Sequence, residues 1–170
     1  MLLIPLLVDW WHMRGIERRL EAHLPRINQH AREQNLPPQL VIEVVRAESG
    51  GDPLAVSKAG ARGLMQIMPD THDDLVTRFG VGRGDLHDPD YNLKLGTTYL
   101  RHLMDRFDSD VTLTLAAYHM GPTKVAKLRK ANPKLSSTQL VAKYGGPQTR
   151  AYVRTITAAL DEHRRATMSP

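Results

Sequence analysis

A carboxyl group that keeps its proton near neutral pH can serve as a general acid, and Glu48 has the sequence context of such a group. The segment Gln39-Leu40-Val41-Ile42-Glu43-Val44-Val45-Arg46-Ala47-Glu48 follows two prolines and puts Val41, Val44 and Val45 on one helical face. Glu48 continues that face. Ser49-Gly50-Gly51-Asp52-Pro53 then ends the helix, which leaves Glu48 in its last turn, at the negative end of the macrodipole. Partial burial and the dipole both disfavour the charged form, so this carboxyl is expected to titrate above the roughly 4.3 of a free Glu. Spacing alone also allows a plainer reading, a frayed terminal Glu turned out to solvent.

The residues that follow decide between the two. Glu48-Ser49 leads through a loop of small residues into Gly63-Leu64-Met65-Gln66 and then Pro69. Further on stand Ala117-Tyr118-His119-Met120-Gly121-Pro122 and Gln148-Thr149-Arg150-Ala151-Tyr152-Val153. Three motifs in this order resemble the soluble lytic transglycosylase family, which shares its fold with goose-type lysozymes; the resemblance spans about residues 28 to 160. Two positions depart from the family pattern. His119 stands where Asn is usual, exchanging a neutral amide for a group that titrates near pH 6.5, and Gln148 stands where Glu is usual.

The resemblance implies cleavage of the β-1,4 bond between N-acetylmuramic acid and N-acetylglucosamine in peptidoglycan. It also implies that one Glu acts first as acid on the leaving sugar and then as base on the C6 hydroxyl, giving a 1,6-anhydro end. Glu48 takes that catalytic role. Ser49, Met65, Gln66, Tyr118, His119 and Tyr152 are the substrate-binding candidates, although Met65 and Tyr152 read equally as core residues and Ser49 as a polar helix end. Ordinary glycosidases need a second carboxylate. Asp52 suits a turn, and Asp70, Asp73 and Asp74 suit a helix N-terminus, so none is compelling as a nucleophile. A hydrolysing muramidase with the same cleft is the nearest alternative.

Composition narrows the partners. A net charge of +5 and a pI near 9.7 favour anionic polymers, among them nucleic acid, acidic lipid and cell wall. Lys124, Lys127, Arg129, Lys130 and Lys134 suggest a helix-turn-helix nucleic-acid binder at 110–130, but such a protein has no use for Gly63-Leu64-Met65-Gln66 behind a Glu-Ser helix end. A catalytically dead relative would not need Glu48. The eight histidines show no His-Glu-x-x-His or similar ligand spacing, so no metal and no cofactor are expected. The absence of cysteine excludes a disulfide framework. The apolar run Leu2 to Val8 lacks a basic lead and a cleavage site, is broken by Pro5, and falls well short of the roughly 20 residues of a membrane span. Peptidoglycan strands are thus the expected partner, with a setting in envelope secretion or phage assembly. Neither nucleic acid nor stable membrane insertion is expected. The expected location is the bacterial envelope or outside it, with no export signal evident.

These groups need elements to hold them. Trp10, Met13, Ile16, Leu20, Leu24 and Ile27 make an amphipathic helix with a kink or break at Pro25, read as an arm over 1–27 packing on a catalytic domain over 28–165. Helices are expected from Pro37 or Pro38 to Ser49, from Asp70 to Phe79 and from Asp88 to about Phe107. Others run from Ser109 or Asp110 to Gly121, from Pro122, from Ser136 to Gly145, and from Pro147. Gly50, Gly51, Gly60 and Gly63 make the stretch between Ser49 and Ile67 a loop with a short hairpin beside the cleft. Nothing alternates as a sheet would, so the class is all-α, a lysozyme-like orthogonal bundle, with a flexible tail at 166–170.

Overall fold

Proline starts and glycine stops fix the helix boundaries, and they do so almost where the spacing predicts. The computed structural model describes residues 3–168, with side chains from Met13 onward. Among the described residues there are eight helices, α1 (Leu3–Glu33), α2 (Pro38–Ser49), α3 (Pro69–Phe79), α4 (Pro89–Arg106), α5 (Val111–Met120), α6 (Pro122–Ala131), α7 (Ser137–Tyr144) and α8 (Pro147–Met168). Gly50 and Gly80 close α2 and α3 in the left-handed conformation, with φ of 58° and 63°. Asp110 caps α5 by accepting from the Leu113 amide at 2.9 Å, and Ser136 with Gln139 forms the reciprocal capping box of α7. Asp88 accepts from the Tyr91 amide at 2.7 Å at the start of α4.

The all-α class holds among the described residues. The only pairing outside helices is two isolated antiparallel bridges, Val56 with Arg62 and Arg62 with Ile67, which make the short hairpin expected after Glu48. Two helix bounds bear on the sequence expectation. α1 continues through Pro25 from residue 3 to residue 33 without the break the sequence allowed there, because flanking turns hold the helix where the proline removes one amide donor. The tail expected at 166–170 is helical as far as Met168. The places assigned to Trp10 and to Leu2 through Val8 lie outside the described side chains. Among the described residues no helix is long and apolar enough to cross a membrane.

The chain forms two compact units, residues 1–98 and 99–170, and the division falls inside α4. In the first unit α1 packs on α2, with Leu20, Ile27, Leu40, Val41, Val44 and Val45 all buried. The C-terminal turn of α1 is tied to the start of α4 by buried His30, whose Nε2 and Nδ1 lie 2.9 Å from Asp90 and 3.1 Å from Glu33. In the second unit α5 is the hub, touching α6, α7 and α8. Its five consecutive residues from Leu113 to Ala117 are all buried, so the middle of this helix is covered on every side.

Candidate active site

The stripe that carries Glu48 behaves as its spacing implies. Val41, Val44 and Val45 are fully buried, while Glu48 lies half-buried at the helix end, one residue before the last. There it lines a cavity of about 370 Å³ in the first unit together with Ser49, Gly50, Gln66, Arg46, Arg19 and residues of the loop from Ala55 to Ser57. Glu48 is the one carboxylate among the described residues of that lining. A larger cavity of about 440 Å³ in the second unit, between Thr112, Val141, Arg150 and Arg154, contains none of the predicted site residues, and the chemistry favours the smaller one.

The Ser49 hydroxyl is engaged within the protein. It donates to the Leu64 carbonyl at 2.8 Å and accepts from the Gly51 amide at 3.1 Å, so it staples the end of α2 to the Gly63-Leu64-Met65-Gln66 loop. Gln66 adopts φ of 48°, a left-handed conformation that costs a non-glycine residue about 1–2 kcal/mol. Its amide nitrogen is held by the carbonyls of Ala55 and Gly63, each at 3.0 Å, which fixes the side chain in the cavity wall. Met65, expected in the cleft wall, is fully buried instead. Its side chain fills the space over Gly96, where an added Cβ would lie 2.2 Å from the sulfur, so its work is packing.

Two residues that shape the site escaped sequence reasoning. Asn92 is fully buried on α4, accepts from the Met65 amide at 2.8 Å and donates to the carbonyls of Leu86 at 2.8 Å and Arg62 at 2.9 Å. It sets the backbone of the loop that presents Gln66. Gly63 is required beneath it, because with φ of 78° a Cβ there would lie 2.2 Å from the Asn92 amide nitrogen and 2.3 Å from the Leu86 carbonyl. The signal for Asn92 was present: it precedes Leu95, Tyr99 and Leu103 on one apolar stripe, the same anomaly that marks Glu48. Glu43, buried one turn before Glu48, is the other. Its carboxylate accepts from Gln39 at 2.7 Å and from Arg46 at 3.1 Å, and Arg46 also pairs with Glu17 of α1. Partial burial works against the Arg46 charge, but the bonds and charges of Glu17 and Glu43 outweigh it and hold this guanidinium above its ordinary range.

The remaining candidates belong to the second unit. Tyr118 is half-buried against Tyr99, with ring centroids 5.4 Å apart. The His119 ring lies 4.9 Å from that of Tyr152, and its Nδ1 is 3.0 Å from the hydroxyl of buried Thr149. Although the residue keeps an open side, partial burial of the ring pushes its pKa below the usual 6.5. His119 and the third motif are thus bound to one another, and Arg150 of that motif donates to the Gly145 carbonyl at 3.0 Å, past the end of α7. Asp52 forms the expected turn, accepting from the Leu54 amide at 2.9 Å.

The family model for the transglycosylase SLT domain matches residues 25–141, most of the chain. This chain belongs to that family. It is 30% identical over 154 residues to the soluble lytic murein transglycosylase of Escherichia coli K12, covering 88% of this chain and 24% of that protein. It is 27% identical over 172 residues to the membrane-bound lytic murein transglycosylase C of Actinobacillus pleuropneumoniae, covering 87% and 47%. A transglycosylase of Enterobacteria phage PRD1 is 43% identical over 89 residues, covering 52% and 31%. Among solved structures, a 70-kDa soluble lytic transglycosylase in complex with bulgecin A superposes with a TM-score of 0.80 at 28% identity, over 94% of this chain and 26% of that one. An inactive Glu-to-Gln mutant of lytic transglycosylase Slt from Pseudomonas aeruginosa gives 0.77 at 27% identity, over 88% and 25%. The lysozyme-like helical fold expected from the motifs is therefore shared with this family. The chain spans about a quarter of the length of the soluble relatives it matches.

Proposed function

We propose that this chain is a peptidoglycan lytic transglycosylase acting on the murein of the bacterial envelope, with Glu48 as its single acid and base. The observation that carries the reading is a half-buried Glu at the end of α2, the one carboxylate in the described lining of a cavity shared with Gln66. Family membership supplies the substrate class, and a Glu-to-Gln change is what renders the Pseudomonas relative inactive.

In the first step the Glu48 carboxyl gives its proton to the glycosidic oxygen. The bond from that oxygen to C1 of N-acetylmuramic acid breaks, and the carbonyl oxygen of the neighbouring acetamide bonds to C1. N-acetylglucosamine leaves with a free 4-hydroxyl. In the second step the Glu48 carboxylate takes the proton of the C6 hydroxyl, O6 bonds to C1, and the acetamide is released unchanged. Glu48 ends protonated, and no water is consumed. Gln66 offers its amide oxygen to a sugar hydroxyl or acetamide N–H, while Tyr118, His119 and Tyr152 are assigned to the glycan by the motifs they stand in.

Digestion of purified sacculi followed by mass spectrometry tests this. The expected muropeptides end in 1,6-anhydro-N-acetylmuramic acid, about 18 mass units lighter than hydrolysis products. Only reducing ends would make the chain a hydrolysing muramidase. Glu48→Gln keeps size and polarity but removes the transferable proton, so it should abolish cleavage with the thermal unfolding midpoint unchanged. Near-normal turnover by the folded variant would sink the mechanism.

A further inference from the structure

One wall of the Glu48 cavity comes from outside the region that defines the family. Ile16 and Arg19 stand on α1, ahead of residue 25 where the match begins, and both line the cavity with Glu48, Ser49 and Gln66. α1 presses tightly on the turn that ends the Glu48 helix. A Cβ on Gly51 would lie 3.0 Å from both the Arg19 Cβ and the Leu20 nitrogen, and one on Gly50 would lie 3.3 Å from the Ile16 side chain. The helix therefore holds its two residues in a fixed relation to the end of α2.

The two guanidinium groups of this cavity differ in what they have left to offer. Arg46 is matched by Glu17 and Glu43, and its charge is spent. Arg19 donates Nε to the Gly50 carbonyl at 2.9 Å, which pins the group. Among the described residues Nη1 and Nη2 have no protein hydrogen-bond acceptor, so four donors and the positive charge remain available on a side chain oriented by its bond to Gly50. That is a planar fork with the chemistry to take a carboxylate through two parallel hydrogen bonds, and holding it in place beforehand lowers the entropy cost of doing so.

We propose that Arg19 is a specificity residue that binds a carboxylate carried on the 3-O-lactyl arm of muramic acid, so that anionic strands are preferred over neutral ones. This rests on the transglycosylase reading of the Glu48 cavity. Two sources supply the same group: the lactyl carboxylate itself on strands stripped of peptide, and the carboxylates of the stem peptide on substituted strands.

Binding is measured by calorimetry with the Glu48→Gln chain, so that nothing is consumed, and with the same chain also carrying Arg19→Gln or Arg19→Lys. The probes are stripped strands, stem-bearing strands, and both after methyl esterification of their carboxylates. Esterification should weaken binding to the Arg19 chain by about fivefold to tenfold and leave the Arg19→Gln chain indifferent, with Arg19→Lys between the two. The strand type on which esterification acts identifies the source of the carboxylate. Equal binding of free and esterified strands to the Arg19 chain would overturn the proposal. So would an Arg19→Gln chain that weakens on all four probes alike, since that is what loss of the Gly50 contact alone would do. Turnover by the unsubstituted chain is read in parallel: strands bound with this charge preference but never cleaved would refute the transglycosylase reading and leave the recognition standing, whereas no binding to any strand would end both.

Discussion

Replacing Asn92 by Ala removes the group that holds the loop between Gly63 and Gln66 in shape, and its cost can be worked from three hydrogen bonds. The Met65 amide and the Leu86 carbonyl are bonded to Asn92 in the buried interior, and the Arg62 carbonyl is bonded to it at the edge. Each buried group left unpaired costs about 1–3 kcal/mol, so the two interior groups together cost about 2–6 kcal/mol. For a chain of this size 1 kcal/mol is worth about 2–4 °C, and the middle of the range gives a fall in Tm of roughly 8–16 °C. The loop carries Gln66, so kcat should fall by about ten- to hundredfold even at a temperature where the variant is fully folded. Asn92→Asp separates donor from acceptor. It keeps the oxygen for Met65, but an ionised carboxylate faces two carbonyls with nothing to donate, so its folded pKa lies above the roughly 3.9 of a free Asp. Stability of that variant is therefore fullest below the unfolded pKa and declines as pH rises through the folded one. Calorimetric unfolding from pH 4 to pH 8, with turnover of sacculi below each midpoint, measures both. An Asn92→Ala midpoint within about 2 °C of the parent, or an Asn92→Asp curve parallel to it across pH, would refute the reasoning.

Gly63→Ala combines a left-handed φ of 78° with a Cβ 2.2 Å from Asn92, and should destabilise by about 2–5 kcal/mol in a urea titration; a change under 1 kcal/mol would show that the loop yields. Ser49→Ala unpairs the Leu64 carbonyl and Gly51 amide, and should cost about 1–2 kcal/mol with a loss in kcat larger than any rise in KM. A pure KM effect would return Ser49 to direct substrate contact. Burial lowers the folded pKa of His119, so its contribution to stability is present above the ordinary 6.5 and is lost as pH falls through that value toward the folded pKa. His119→Asn should therefore flatten the dependence of the urea midpoint between pH 7.5 and pH 5.5, and an unchanged slope would assign that dependence to other groups.

The eight helices were legible from the chain because their signals are local: proline starts, the Asp88, Asp110 and Ser136 caps, and the glycines after α2 and α3 act within one turn. Glu48 was legible for the same reason, as a carboxyl in an apolar stripe ahead of a stop signal. Pro25 does not end the helix, because a local penalty for one missing hydrogen bond is small against the packing of a long helix on α2. The work assigned to Ser49, Met65 and Gln66 depended on partners that the folding of the loop and the packing of α4 bring to them. Residue types alone do not say that Ser49 gives its proton to Leu64, that Met65 fills the space above Gly96, or that Asn92 bonds the residues around Gly63. The first is closed when the loop after α2 folds back on the helix end and the other two when α4 packs against that loop, and a buried polar group accepts whichever partner that packing supplies. Arg19 is the sharpest case: in sequence it is one more charge on the polar face of a surface helix, and only the close approach of α1 to the Gly50-Gly51 turn, where an added Cβ would be crowded, brings it into the cavity of Glu48.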